Sequence, residues 1–154
     1  MTLGSSDQQL LEMACKIMGA SYKAEWHSIA CAMRTRSGRV FLAVHLEAHV
    51  GRIAVCAVAI ALGMGAAEGD TAVELAVAVD HEGNVVAPCG MCRELISDYS
   101  STARVIVPSA TGLFIVNVGE RCRTSMCDEK PSFAHPDALP RALRYPLAVE
   151  QLVQ

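Results

Sequence analysis

Apolar positions recur at helical spacing near the start of the chain. Leu10, Leu11, Ala14, Ile17 and Met18 fall on one face of a helix expected over about Gln8–Met18, with Ser5, Ser6 or Asp7 as its cap and Gly19 as its end. The stretches 28–34 and 39–46 read as two strands, and Thr35-Arg36-Ser37-Gly38 between them has the composition of a tight hairpin turn. Arg52–Met64 is rich in Ala, Ile and Leu and free of Pro, which predicts a buried helix closed by Gly63 and Gly65. A strand over Val73–Val79 follows, then turn chemistry at Asp80–Asn84. Pro88 suits the entry of a helix over Gly90–Tyr99. Strands over Ala103–Val107 and Leu113–Val118 complete the regular part. This alternation predicts an α/β protein, a three-layer α/β/α sandwich around a mixed β-sheet. After about residue 119 the pattern weakens. Pro131, Pro136, Pro140 and Pro146 mark an irregular, divergent tail with a short final helix expected over Leu147–Val153. No repeat or linker divides the chain, so residues 1–154 are read as one domain.

Composition narrows the function classes. With 52% hydrophobic but only 5% aromatic residues, the core must be built from Ala, Val and Leu, which lets helices approach a sheet closely. A formal net charge of −3 supplies no electrostatic footprint for nucleic acid or an anionic membrane, and a small-molecule partner is easier to reconcile with it. The longest apolar run, Ile53–Met64, is too short to span a bilayer. The expectation is a soluble, cytoplasmic protein. So much Ala and Val also points to a homo-oligomer, whose subunit contacts hide the excess.

The chemistry is carried by cysteine. Seven are present, an odd number and clustered, which a disulfide framework in a secreted domain of this size does not require. Pro88-Cys89-Gly90-Met91-Cys92 sets two sulfurs three residues apart at a helix start, and Cys56 lies thirty-three residues before Cys89 on the preceding helix. Three such thiolates can chelate one ion and leave a fourth position open, and their softness selects Zn²⁺ over Mg²⁺ or Ca²⁺. Two other readings exist: buried apolar thiols, and a C-x-x-C redox couple. A thioredoxin-type motif follows the first strand of its fold, whereas this pair comes late, after a helix already carrying a cysteine. Metal binding is therefore preferred. Cys15 and Cys31 sit in apolar periodic segments and are assigned to the core, and Cys122 and Cys127 are read as ordinary thiols.

Val55-Cys56-Ala57 opening an Ala-rich helix, followed by a strand and Pro88-Cys89-Gly90-Met91-Cys92-Arg93-Glu94, resembles the cytidine deaminase family, and Glu25–Gly51 looks closest to its blasticidin-type branch. The resemblance implies one zinc held by Cys56, Cys89 and Cys92, hydrolytic deamination of a cytidine-like nucleoside or related aminopyrimidine, and a homotetramer (or dimer) whose sites are completed by neighbouring subunits. It implies His45, Glu47, Ala57 and Pro88 as substrate contacts. The family's Asn-x-Glu, which grips the ribose, falls on His45-Leu46-Glu47, so the Glu is kept and the Asn is His. It also implies that Trp26 or His27 packs on the base. The family's proton-carrying Glu stands two residues after the first ligand; here that residue is Val58, which can neither accept nor donate a proton. An Arg commonly follows that Glu to neutralise the thiolates, and here the position is Ala59, with Arg52 or Arg93 as substitutes. The resemblance thus implies a catalytically impaired deaminase, or else a non-catalytic binding homologue stabilised by zinc.

Overall fold

A computed structural model describes residues 3–121. The elements in chain order are α1 (Ser5–Ser21), β1 (Ile29–Thr35), β2 (Val40–Val44), a 3₁₀ turn (Gly51–Ile53), α2 (Ala57–Ala67), β3 (Val73–Asp80), β4 (Val85–Val86), α3 (Gly90–Tyr99), β5 (Arg104–Ser109), β6 (Gly112–Asn117) and a short turn of helix, α4 (Val118–Arg121). Six strands form one sheet: five lie in the order β2-β1-β3-β5-β6, and β4 pairs with β3 off that path. β1 runs antiparallel to both β2 and β3, β3 is parallel to β5, and β5 is antiparallel to β6, so the sheet is mixed as expected.

The period-2 alternation of the strands divides the core into two layers. Ala30, Ala32, Leu75, Val77 and Val79 face one way and pack with Leu10, Ala14 and Met18 of α1. Cys31, Met33, Ala76 and Ala78 face the other way and pack with Ala57, Val58, Ala61 and Leu62 of α2 and Cys92 and Ile96 of α3. Small residues on both sides of that second interface bring the two helices down onto the sheet.

β3 positions the site. Its second edge is shared: Leu75 and Ala76 pair with β5, whereas Ala78 and Val79 pair with the two residues of β4. Two strands cannot occupy one edge over the same length, so the chain leaves the sheet after Val86 and enters α3 through Ala87-Pro88-Cys89.

Several boundaries differ from expectation. α1 begins after Gly4, without a side-chain cap, and runs past Gly19 to Ser21; a Cβ at Gly19 would meet nothing within 4 Å, so this glycine imposes no break. α2 begins at Ala57 rather than Arg52. Leu46 and Val55 exchange backbone hydrogen bonds of 3.0 and 2.9 Å, which keep the chain extended up to Cys56. Nor do Gly63 and Gly65 end it: Gly65 lies inside the helix, where the Asp70 carbonyl would come within 2.5 Å of a Cβ, and the chain turns at Gly69, whose φ is +70°. The final helix expected at 147–153, Cys122 and Cys127 lie outside the described residues, so the single-domain reading of 1–154 extends beyond them. Among the described residues no helix is long and apolar enough to cross a membrane.

Candidate metal centre and adjoining cavity

The N-termini of α2 and α3 meet. Cys56 is the N-cap of α2 and Cys89 the N-cap of α3, both with extended backbone, while Cys92 lies in the first turn of α3. Three thiols from two helix starts therefore converge: Sγ of Cys56 lies 3.9 Å from that of Cys89, which lies 3.4 Å from that of Cys92, and all three fall within 4.8 Å of one another. A tetrahedral zinc with Zn–S bonds of about 2.3 Å needs sulfurs roughly 3.8 Å apart. These separations match, and Cys56, Cys89 and Cys92 are positioned to bind one metal ion as the sequence predicted. A dithiol redox couple would not require the third sulfur.

Electrostatics at the thiols differ one by one. Burial pushes Cys56 and, more strongly, Cys92 above the ordinary thiol value. Burial also acts to raise Cys89, but the Cys92 N–H donated to its sulfur at 3.4 Å, with further hydrogen bonds, brings it below that value. A metal displaces the protons that burial retains. Three thiolates around Zn²⁺ leave a net charge of −1, and the positive ends of α2 and α3 oppose it. Neither Arg52 nor Arg93 donates a hydrogen bond to these sulfurs. Arg52 is exposed, and the Nε of Arg93 is buried without a partner.

The three cysteines share the wall of a cavity of about 410 Å³ with Val58, His45, Glu47, Ala57 and Pro88. The metal ligands and the four expected substrate contacts His45, Glu47, Ala57 and Pro88 are thus brought to one cavity, whereas Trp26, His27, Arg52 and Arg93 are not in its wall. Val58, in the first turn of α2, is 5% exposed. His45 follows β2, and its Nδ1 accepts the backbone N–H groups of Ser28 and Ile29 at 3.0 and 3.2 Å. The ring N–H is therefore on Nε2, which lies 3.7 Å from Oε2 of Glu47. Oε1 of Glu47 accepts the Ala48 N–H at 3.0 Å.

Trp26 and His27, expected to pack on the base, both stand outside the large cavity. His27 is in neither this cavity nor the next; its Nδ1–H donates to the His45 carbonyl at 2.9 Å and so holds the end of β2. Trp26 stands outside the large cavity, in the wall of a smaller one. Ile29, Ala54, Val55, Ala78, Val86 and Ala87 supply the rest of the large wall. Apolar residues at strand ends read as core, and nothing in their type marks them as cavity lining.

Fold and site together define a thiolate metal protein on an α/β/α sandwich, its ion held at two helix starts. The cytidine and deoxycytidylate deaminase zinc-binding region matches residues 4–108. Blasticidin-S deaminase of Bacillus cereus is 39% identical over 113 residues, 68% of this chain and 81% of that protein. This chain belongs to the cytidine and deoxycytidylate deaminase zinc-binding family. Among solved structures, cytidine deaminase from Mycobacterium leprae matches with a TM-score of 0.66 at 21% identity, covering 75% of this chain and 96% of that one. Cytidine deaminase from Mycobacterium tuberculosis matches with a TM-score of 0.65 at 18% identity, covering 77% and 94%. At these identities the structures establish the fold.

Proposed function

We propose that this chain is a zinc-dependent hydrolytic deaminase of cytidine-like nucleosides or related aminopyrimidines, strongly impaired as it stands because Val58 occupies the position of the proton-carrying carboxylate. The observation that carries this reading is the convergence of three thiols in the wall of one cavity large enough for such a ligand. Zinc, when bound, acts as a Lewis acid that lowers the pKa of water. The residues supply the rest. The Nε2–H of His45 and the carboxylate of Glu47 hold the ribose hydroxyls of a nucleoside, and Ala57 and Pro88 flank the base. Val58 moves no proton. Glu47 is a poor substitute, since Oε1 is engaged by the Ala48 N–H and Oε2 faces His45. Glu94 does not line the cavity.

A positioned proton carrier contributes roughly 10²–10⁴-fold in rate. The Val58→Glu variant, zinc-loaded, should therefore gain deaminase activity of at least about 10²-fold, followed by the absorbance change of cytidine, deoxycytidine and blasticidin S. No gain with any of the three would overturn the proposal. The burial of Val58 among core residues favours a second reading, a non-catalytic homologue in which zinc serves stability. That reading predicts no nucleoside binding by either form. We further propose a cytoplasmic homo-oligomer, tetramer or dimer. Free thiols fit a reducing compartment, and the exposed Leu46, Val50, Ile53 and Met91 are apolar surface that a subunit contact would cover.

A further inference from the structure

The stretch Ala87-Pro88 has a cavity on each side. One is the thiol-lined cavity; the other, of about 40 Å³, lies among α3, β5, β6 and α4. Val105, Val107, Val116 and Val118 form its apolar sides, and Arg93 and Asn117 are its polar residues. That space suits the head group of a ligand, not a whole nucleoside.

Arg93 enters this small cavity unsatisfied. A Cβ at Gly90 would lie 3.9 Å from its Nη2, so the side chain folds back along the start of α3. Its Nε is buried without a hydrogen-bond partner, and among the described residues its guanidinium forms no ion pair. No other charged residue lines the cavity, so one positive charge stands there with nothing against it. A buried guanidinium left unpaired is costly, and an anion that pairs with it removes the penalty. Asn117 faces the same space. Its Oδ1 accepts the Gly119 N–H at 2.8 Å, which leaves the Nδ2 hydrogens to donate. Both side chains therefore offer donors.

We propose that this cavity is a second ligand site, taking a small carboxylate on an apolar stem. The carboxylate accepts from the Arg93 guanidinium and the Asn117 amide, and the stem rests on the valines. A guanidinium fork matches the two oxygens of a carboxylate, and one negative charge balances the single cation. Four valines suit hydrocarbon better than the further oxygens of a phosphate. The site is separate from the thiol-lined cavity and requires no nucleoside there.

The test is titration of the isotope-labelled, zinc-loaded full chain with isobutyrate, followed by the side-chain N–H resonances of Arg93 and Asn117. Isobutyramide serves as the neutral isostere and inorganic phosphate as the rival anion. Isobutyrate should shift both resonances saturably and bind at least about tenfold tighter than the amide, the scale by which a charge-assisted hydrogen bond exceeds a neutral one. Arg93→Met, read at Asn117, should abolish that preference. Asn117→Asp keeps an acceptor for the Gly119 N–H but sets a carboxylate beside Arg93, and should cut isobutyrate binding at least about tenfold. It also keeps the test alive should Arg93→Met fail to fold. No saturable shift with isobutyrate, equal affinity for the amide, or binding that Asn117→Asp leaves intact overturns the site; phosphate binding as tightly as isobutyrate overturns the choice of carboxylate.

Discussion

Arg34 is the most heavily used side chain outside the site. Its guanidinium donates to Glu74 at 2.9 and 3.3 Å, to Asp7 at 2.8 Å and to the backbone and hydroxyl of Ser6 at 3.1 and 2.7 Å, tying β1 to β3 and to the start of α1. Arg104 reaches the same Glu74 at 3.0 Å. Arg34→Met leaves two carboxylates facing each other without their shared cation, and should cost about 1–3 kcal/mol by urea denaturation. The pH dependence has a definite sign. Hydrogen bonding to Arg34 holds Glu74 below its ordinary 4.5. The native state therefore binds the Glu74 proton less readily than the unfolded chain, and its contribution is complete above about pH 4.5 and lost as pH falls through the depressed value. Acid titration of wild type and Arg34→Met, monitored by circular dichroism, should show the two stabilities converging at low pH. A difference that stays constant down the acid limb would contradict this origin.

Two glycines two residues apart in α2 should respond oppositely to the same change. At Gly65 a Cβ would meet the Asp70 carbonyl at 2.5 Å, while at Gly63 it would meet nothing within 4 Å. Gly63→Ala should stabilise by up to about 1 kcal/mol through helix propensity, and Gly65→Ala should destabilise despite the same propensity gain. Thermal melts of the two variants check this; a stabilising Gly65→Ala would show that the α2–β3 connection moves freely. The same positions explain which elements were legible in the sequence. The β1–β2 hairpin and α3 were readable because Ser37-Gly38 and Pro88 sit where turn and helix entry require them, and Gly38 has φ +89°. Gly19, Gly63 and Gly65 misled because a glycine in a helix interior carries no local mark of whether a neighbour's backbone or open solvent lies beside it. The start of α2 was misplaced for a related reason. Arg52–Val55 looks helical by composition, and only a pairing with Leu46, distant in sequence, holds Val55 extended.

At the scale of the molecule, the fold's contribution is to lay α2 and α3 on the same face of the sheet, so that Cys56 and Cys89 cap helices whose starts adjoin. The ligands were legible because their chemistry is rare and their spacing specific. The cavity was not, since its wall is mostly Ala, Val and Ile drawn from four separate segments. Because the ligands join two helices, zinc should stabilise the native chain over the unfolded one by mass action, and stripping it with a chelator should lower the melting temperature of wild type but not of Cys56→Ser/Cys89→Ser. The most direct measurement is elemental analysis of protein purified without chelator, with sulfur-to-metal bond lengths by X-ray absorption. Close to one zinc per chain, with sulfur neighbours at about 2.3 Å and loss of the metal in Cys89→Ser, is the predicted result. Metal-free protein, or zinc that the triple Cys56, Cys89, Cys92→Ser variant retains, would contradict it.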